Sequence, residues 1–188
     1  MKRLFIALPI TETSKTSIIK GILSDDKLKQ MPVRWTSYQN LHLTIQFLGD
    51  VDEKRIPDLK QILNRIRLSE NPEIIKFTNI GAFPGISKPR IIYLGLDYSD
   101  YLPNIQRFIT KDLIRNGFTV DNKPFRPHLT LGRVREGMLF QSRDIQYVQE
   151  IADRISVPDS PVDRIVLFES KLQPGGPVYT SLYEKKLI

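Results

Sequence analysis

Leu41-His42-Leu43-Thr44-Ile45-Gln46-Phe47-Leu48 places apolar residues at every second position from 41 to 47, the period of a strand with one face buried. Its opening recurs downstream in Pro127-His128-Leu129-Thr130-Leu131. Both stretches read His-apolar-Thr-apolar, and between them they hold both histidines of the 188-residue chain. A lone His-x-Thr on a strand is usually an ordinary half-buried pair; two copies that use every histidine are not expected by chance. Alternation puts His42 and Thr44 on one face and Leu43 and Ile45 on the other, with Gln46 extending the polar row and Phe47 the apolar one. His128 and Thr130 share a face in the same way, opposite Leu129 and Leu131.

Outward from these motifs, strand and helix patterns recur in a similar order. Lys2–Leu8 reads as a strand and Thr11–Leu23 as a helix with Thr11 as its N-cap. Asp52–Leu68 is amphipathic, with Ile56, Leu59, Ile62, Leu63 and Ile66 at helical spacing and Pro57 tolerated near the first turn. Ile74–Ile80 and Ile91–Leu96 are strand patterns separated by the Gly/Pro-rich stretch from Gly81 to Arg90, expected as a loop. Tyr101–Asn116 is a helix stopped by Gly117, His128–Leu131 a short strand and Phe140–Ile155 a helix. Asp163–Ser170 and Tyr179–Leu187 are strands around the turn Pro174-Gly175-Gly176-Pro177. The expected fold is α+β: a single bilobal domain over residues 1–188, built from a duplicated strand-helix-strand unit, with antiparallel sheets flanking a central groove.

Composition narrows the function. Hydrophobic residues at 40% and charged residues at 26% are ordinary for a globular chain of this length. The absence of cysteine removes disulfides, zinc-thiolate sites and thiol nucleophiles. The apolar run Leu4–Leu8 is too short for a signal-peptide core, and no stretch approaches the ~18 apolar residues of a membrane span. No membrane partner and a cytoplasmic location are expected. The net charge of +7 favours anionic partners such as phosphate esters and nucleic acids.

Two opposed imidazoles suit phosphodiester hydrolysis. With ordinary pKa values near 6.5, one can be neutral and take a proton from water while the other is charged and donates to the leaving oxygen. Thr44 and Thr130 can hydrogen-bond the phosphate oxygens. No metal or other cofactor is expected, because two histidines without cysteine fall short of the three protein ligands usual in catalytic zinc sites.

These motifs resemble those of the two-histidine (2H) phosphoesterases, and the chain as a whole is similar to the RNA 2′,3′-cyclic phosphodiesterases, also called 2′–5′ RNA ligase-like proteins. The similarity takes in Arg3-Leu4-Phe5-Ile6-Ala7, Arg34-Trp35, Asn40–Gly49, Phe125–Arg133, Glu169-Ser170 and Pro174–Tyr179. It implies hydrolysis of an RNA terminal 2′,3′-cyclic phosphate to a 2′-phosphomonoester. It further implies that His42 is the proton donor to the 3′ oxygen, that His128 is the acceptor that activates water, and that Thr44 and Thr130 hold the phosphate. The residues alone leave the two histidine roles interchangeable.

Among the neighbours, Arg126 and Arg133 flank the second motif and are candidate phosphate ligands, against the alternative of solvated surface charge. Strict alternation turns Arg133 away from His128, so its candidacy requires a bulge or a strand end. Phe47 is expected in the core, Trp35 as a core anchor, and Lys88 and Arg90 as exposed loop charges. Rival readings are a 2′–5′ RNA ligase or a small cyclic-nucleotide phosphodiesterase on the same site, and a non-catalytic RNA-binding module. The last lacks the expected run of exposed aromatics or concentrated basic stripe. The partner is therefore an RNA with a 2′,3′-cyclic phosphate end or a cyclic nucleotide, and the absence of heptads leaves a monomer as the expectation.

Overall fold

The computed structural model describes residues 1–66, 73–121 and 123–187. The strands β1 (Lys2–Pro9), β2 (Val33–Trp35), β3 (His42–Val51), β4 (Ile74–Phe83), β5 (Ile91–Asp97), β6 (Leu129–Val134), β7 (Ser160–Pro161), β8 (Arg164–Gln173) and β9 (Gly176–Lys186) form a curled antiparallel sheet. Their order is β7-β4-β5-β6-β3-β1-β8-β9, with β2 laid along β6. The helices are α1 (Glu12–Ser17, continued by a π-helical turn, Ile18–Leu23), α2 (Asp26–Gln30), α3 (Ile56–Asn64), α4 (Tyr101–Arg115) and α5 (Ser142–Ala152).

The helices cover the outer face of the sheet in two groups. α4 packs on β3, and α3 on α4, β8 and β9; α5 packs on β4 and the π-helical turn, and α2 on β2. Each of the longer helices presents an apolar stripe: Leu59, Ile62 and Leu63 in α3; Leu102, Ile105, Ile109 and Leu113 in α4; Ile145, Val148 and Ile151 in α5. Fully buried aliphatic side chains such as these contribute about 1.5–3 kcal/mol each. β1 lies between β3 and β8, and Leu4 through Leu8 are all buried, which is why that run is continuously apolar. The chain does not finish one half of the sheet before starting the other. β1 and β3 come from its beginning and β8 and β9 from its end, while β4 to β6 lie between them in sequence.

Several element boundaries move. The helix expected over Asp52–Leu68 is a 3₁₀ turn (Glu53–Arg55), capped by the Asp52 carboxylate, followed by α3; positions 67 and 68 lie outside the described residues. β4 runs on through Gly81-Ala82-Phe83, which the Gly/Pro content suggested was loop. Gly81 belongs in the strand because the Tyr93 ring of β5 lies where its side chain would be. Gly117 does end α4, with a φ of +72°, and Thr11 does cap α1, its hydroxyl accepting from the Ser14 N–H.

The alternation expected for β3 is interrupted. Thr44 pairs with Ala7, Gln46 with Ile6, Phe47 with Phe5 and Gly49 with Leu4, so Ile45 and Leu48 are extra residues without a partner on β1. β6 does the same: Thr130 pairs with Tyr93 and Gly132 with Ile92, leaving Leu131 as the extra residue. Each bulge reverses the face on which every later side chain falls.

Candidate active site

The two motifs meet where β3 and β6 touch, at the antiparallel pair Leu43↔Leu129. Both leucines are fully buried toward the helices. Antiparallel pairing at that point sets His42 beside Thr130 and Thr44 beside His128, on the face opposite the leucines. An approximate two-fold axis through the leucine pair exchanges one His-x-Thr with the other.

The backbone holds each imidazole in the same way. Nδ1 of His42 donates to the Asn40 carbonyl at 2.8 Å, and Nδ1 of His128 to the Arg126 carbonyl at 2.7 Å. A carbonyl only accepts, so both rings carry a proton on Nδ1 and leave Nε2 for chemistry. In the neutral ring Nε2 is a lone pair, fit to take a proton; in the imidazolium it is a donor. The Thr44 hydroxyl lies 3.1 Å from Nε2 of His42.

Aromatic side chains fix both rings from the flanks. His42 lies 5.0 Å from Phe5 and has Tyr179 edge-on at 5.3 Å, while His128 has Phe83 at 4.9 Å and Tyr93 at 5.3 Å. This burial disfavours the charged ring. It pushes the His42 pKa down from 6.5 to about 4, against the pull of the Asn40 carbonyl and with help from the positive charges of His128, Lys15 and Arg133. The His128 pKa is lowered too, first by desolvation and then by Arg133, with the Arg126 carbonyl opposing.

Two expectations about neighbours are corrected by the bulge at Ile45. Phe47 is not a core residue: it is 57% exposed and sits 6.2 Å from the Phe5 ring, on the same face as His42. Gln46 does not continue the polar row of the groove. It is buried on the helix side, where its side-chain carbonyl accepts from Gln106 and Thr110 of α4. The matching bulge at Leu131 supplies what Arg133 required. Arg133 stands on the His128 face, exposed, and its charge acts on both imidazoles and on Tyr179. Phe47 and Arg133 are therefore equivalent positions, each five residues after its histidine.

Arg126 contributes its carbonyl to His128, while its exposed side chain makes no hydrogen bond or ion pair among the described residues. Lys88 and Arg90 are exposed, as expected of loop charges. Trp35 is a core anchor, its Nε1–H donating to the Leu28 carbonyl at 2.7 Å and its ring packed on Gly132. Sequence reasoning missed Phe5, Tyr93, Tyr179, Lys15 and Asn40. Asn40 clamps the site from two sides: its carbonyl orients His42, and its Nδ2 donates at 2.8 Å to the Pro177 carbonyl in the hairpin that carries Tyr179. Phe5, Asn40 and Tyr179 all stand inside the segments that carry the family resemblance, which was the available signal. Among the described residues no three His, Asp or Glu side chains gather in a metal-holding cluster, and no helix is long and apolar enough to cross a membrane.

The family model described as LigT like Phosphoesterase matches residues 24–93 and 96–179, one segment for each His-x-Thr. The chain belongs to this family. Two curated relatives named RNA 2′,3′-cyclic phosphodiesterase are similar over almost their whole lengths. The protein of Methanocaldococcus jannaschii is 34% identical across 97% of this chain and 99% of its own. That of Thermotoga maritima is 32% identical across 97% and 94%. The solved structure of TT0787 from Thermus thermophilus superposes with a TM-score of 0.80 at 23% identity, covering 98% of this chain and 97% of that one. E. coli LigT complexed with 3′-AMP superposes at 0.75 and 24% identity, covering 99% and 98%. At that identity the structures speak for the LigT-like fold alone.

Proposed function

We propose that this LigT-like chain hydrolyses the 2′,3′-cyclic phosphate at an RNA end to a 2′-phosphomonoester, with His42 and His128 as its acid–base pair and without a metal ion. The observation that carries the reading is the Leu43↔Leu129 pairing, which brings two identically oriented imidazoles to one surface. The curated relatives bear the name of that reaction. Neutral His128 takes a proton from water through Nε2 as the water oxygen bonds to phosphorus. The P–O3′ bond breaks, and the departing 3′ oxygen receives a proton from Nε2 of His42. The 2′ ester remains, with the phosphate now a monoester. Thr44 and Thr130 hold the non-bridging oxygens, and Arg133 offsets the charge that gathers on them.

The donor role of His42 depends on the substrate. Without a bound anion its pKa near 4 leaves it neutral at pH 7, and the phosphate's negative charge is what restores its proton. Support for a metal-free reaction lies in the donor set, two histidines and no cysteine. We take residues 1–188 as one working domain with two related lobes, since the motifs form a single surface only together. A cysteine-free chain without heptads suits a monomer in the cytoplasm.

The test is incubation of the protein with adenosine 2′,3′-cyclic phosphate in excess chelator, followed by identification of the product. Adenosine 2′-phosphate at an undiminished rate is expected. Loss of activity restored by a divalent cation overturns the metal-free mechanism, and a 3′-phosphate product overturns the choice of scissile bond.

A further inference from the structure

Each imidazole is flanked by one phenylalanine and one tyrosine, Phe5 and Tyr179 at His42 and Phe83 and Tyr93 at His128. The hydroxyls of the two tyrosines go to different places. That of Tyr93 lies against Gly81 of β4, 2.5 Å from where a side chain there would begin. That of Tyr179 has no hydrogen-bond partner among the described residues, whereas Tyr38, Tyr147 and Tyr183 donate theirs to Glu12, Asp25 and Asn64. The Tyr179 ring is half-buried against Phe5, Phe168 and His42, yet its oxygen is open to solvent, so the hydroxyl leaves the aromatic cluster as an unspent donor.

The curl of the sheet sets what that donor faces. β3, β1 and β8 separate β9 from β6, yet the start of β9 returns to the far wall of the groove. Asn40 donates to the Pro177 carbonyl at 2.8 Å, and Arg34 of β2, the strand laid along β6, brings its Cδ to 3.9 Å from the side-chain position of Gly176. Arg133 of β6 acts on the Tyr179 hydroxyl as it does on both imidazoles, so hydroxyl, rings and guanidinium border one space. Burial raises the phenol pKa from 10 by more than Arg133 and Arg3 lower it, and the group keeps its proton. We propose that the Tyr179 hydroxyl is a further catalytic group, donating a hydrogen bond to the non-bridging phosphate oxygen on the His42 side. Charge gathers on that oxygen as water adds to phosphorus, so the bond strengthens in the transition state. Thr44 and Thr130 are related by the two-fold axis, but with Tyr93 seated on Gly81 the free hydroxyl has no counterpart at His128. The inference rests on the hydrolysis proposed above and deepens it by naming a donor that serves one oxygen only.

Sulfur in place of one non-bridging oxygen isolates the contact, because sulfur is a poor hydrogen-bond acceptor. Initial rates are compared for adenosine 2′,3′-cyclic phosphate and the two diastereomers of its phosphorothioate, in wild type and in Tyr179→Phe, which deletes the hydroxyl and keeps the ring against His42. On the all-oxygen substrate the variant should lose on the order of 10–100-fold in kcat, the size of one hydrogen bond to a charged group. It should lose as much on the diastereomer that keeps oxygen at Tyr179 and little on the other, shifting the ratio of their rates by about tenfold or more. Because the readout is a ratio within one protein, a general loss of folded enzyme does not move it. An undiminished rate in Tyr179→Phe overturns the contact, as does a loss that leaves the diastereomer ratio within about threefold of the wild-type value. If wild type hydrolyses none of the three compounds, it is the proposed reaction that fails, and sulfate binding then decides the hydroxyl. A sulfate Kd raised by about tenfold in Tyr179→Phe keeps it at the anion, and an unchanged Kd removes it.

Discussion

Binding an anion in the groove of this protein should make it take up a proton, at His42. The ligand-free site holds that ring near pKa 4, first because burial strips its water and then because His128, Lys15 and Arg133 are positive. At pH 7 only roughly one molecule in a thousand then carries the charged ring. A single negative charge about 4 Å from Nε2, at an effective dielectric constant near 20, is worth ~4 kcal/mol. At 1.36 kcal/mol per pKa unit that is about three units, enough to bring His42 to roughly 7. Anion binding should accordingly consume nearly one proton at pH 6 and about half of one at pH 7.

Sulfate is the right probe, since its own charge is constant over this range; being a dianion, it makes the proton counts worked for a single charge lower limits. Calorimetric titration in buffers of different ionisation enthalpy gives the proton count directly. The chain has two histidines, so the imidazole NMR signals of wild type and His42→Gln assign both rings without ambiguity. His42 should titrate well below 6.5 in the ligand-free protein and move up by units when sulfate binds. A ring that titrates near 6.5 without ligand, or sulfate binding that takes up no proton at pH 6, would refute the reasoning. The donor role of His42 would then need another source for its proton.

The same depressed pKa bears on stability: the native state binds fewer protons than the unfolded chain, so stability is lost as pH falls from about 6.5 to about 4, by up to ~3 kcal/mol for this group. Urea unfolding of wild type and His42→Gln at pH 7 and pH 4.5 should show the wild type losing more. His42→Ala and His128→Ala should each lower kcat by on the order of 10²–10⁴ and the double variant by little more, because the two act in one proton-transfer step; Thr44→Ala and Thr130→Ala should cost less. A histidine lost with less than about a threefold change would have no part in that step. Gly81→Ala should destabilise by about 1–3 kcal/mol and displace Tyr93 from His128, whereas Gly85→Ala, with open space around its Cα, should stay within about 0.5 kcal/mol, both read from thermal or urea unfolding.

What could be read from the chain in advance follows from where its strands are regular. From His42 to Thr44 and from His128 to Thr130 the pleat is unbroken, so counting by twos puts each histidine and threonine on one face, and the structure agrees. One residue later both strands bulge, and counting by twos gives the wrong face for Gln46, Phe47 and Arg133. Nothing local announces the bulge: Ile45 and Leu131 are ordinary buried aliphatics that fit a regular strand equally well. The constraint that sets it comes from the partner strands, where β1 must hold Ile6 against Gln46 and β5 must hold Ile92 against Gly132. It could only have been inferred from the duplication. The motifs share more than His-x-Thr, because each needs its fifth residue returned to the groove, and the bulge returns Phe47 to one side of the two-fold axis and Arg133 to the other. An apolar ring and a guanidinium at equivalent positions make the two halves of a symmetric frame unequal. That inequality, together with the deeper desolvation felt by His42, gives otherwise interchangeable histidines a physical basis for different roles.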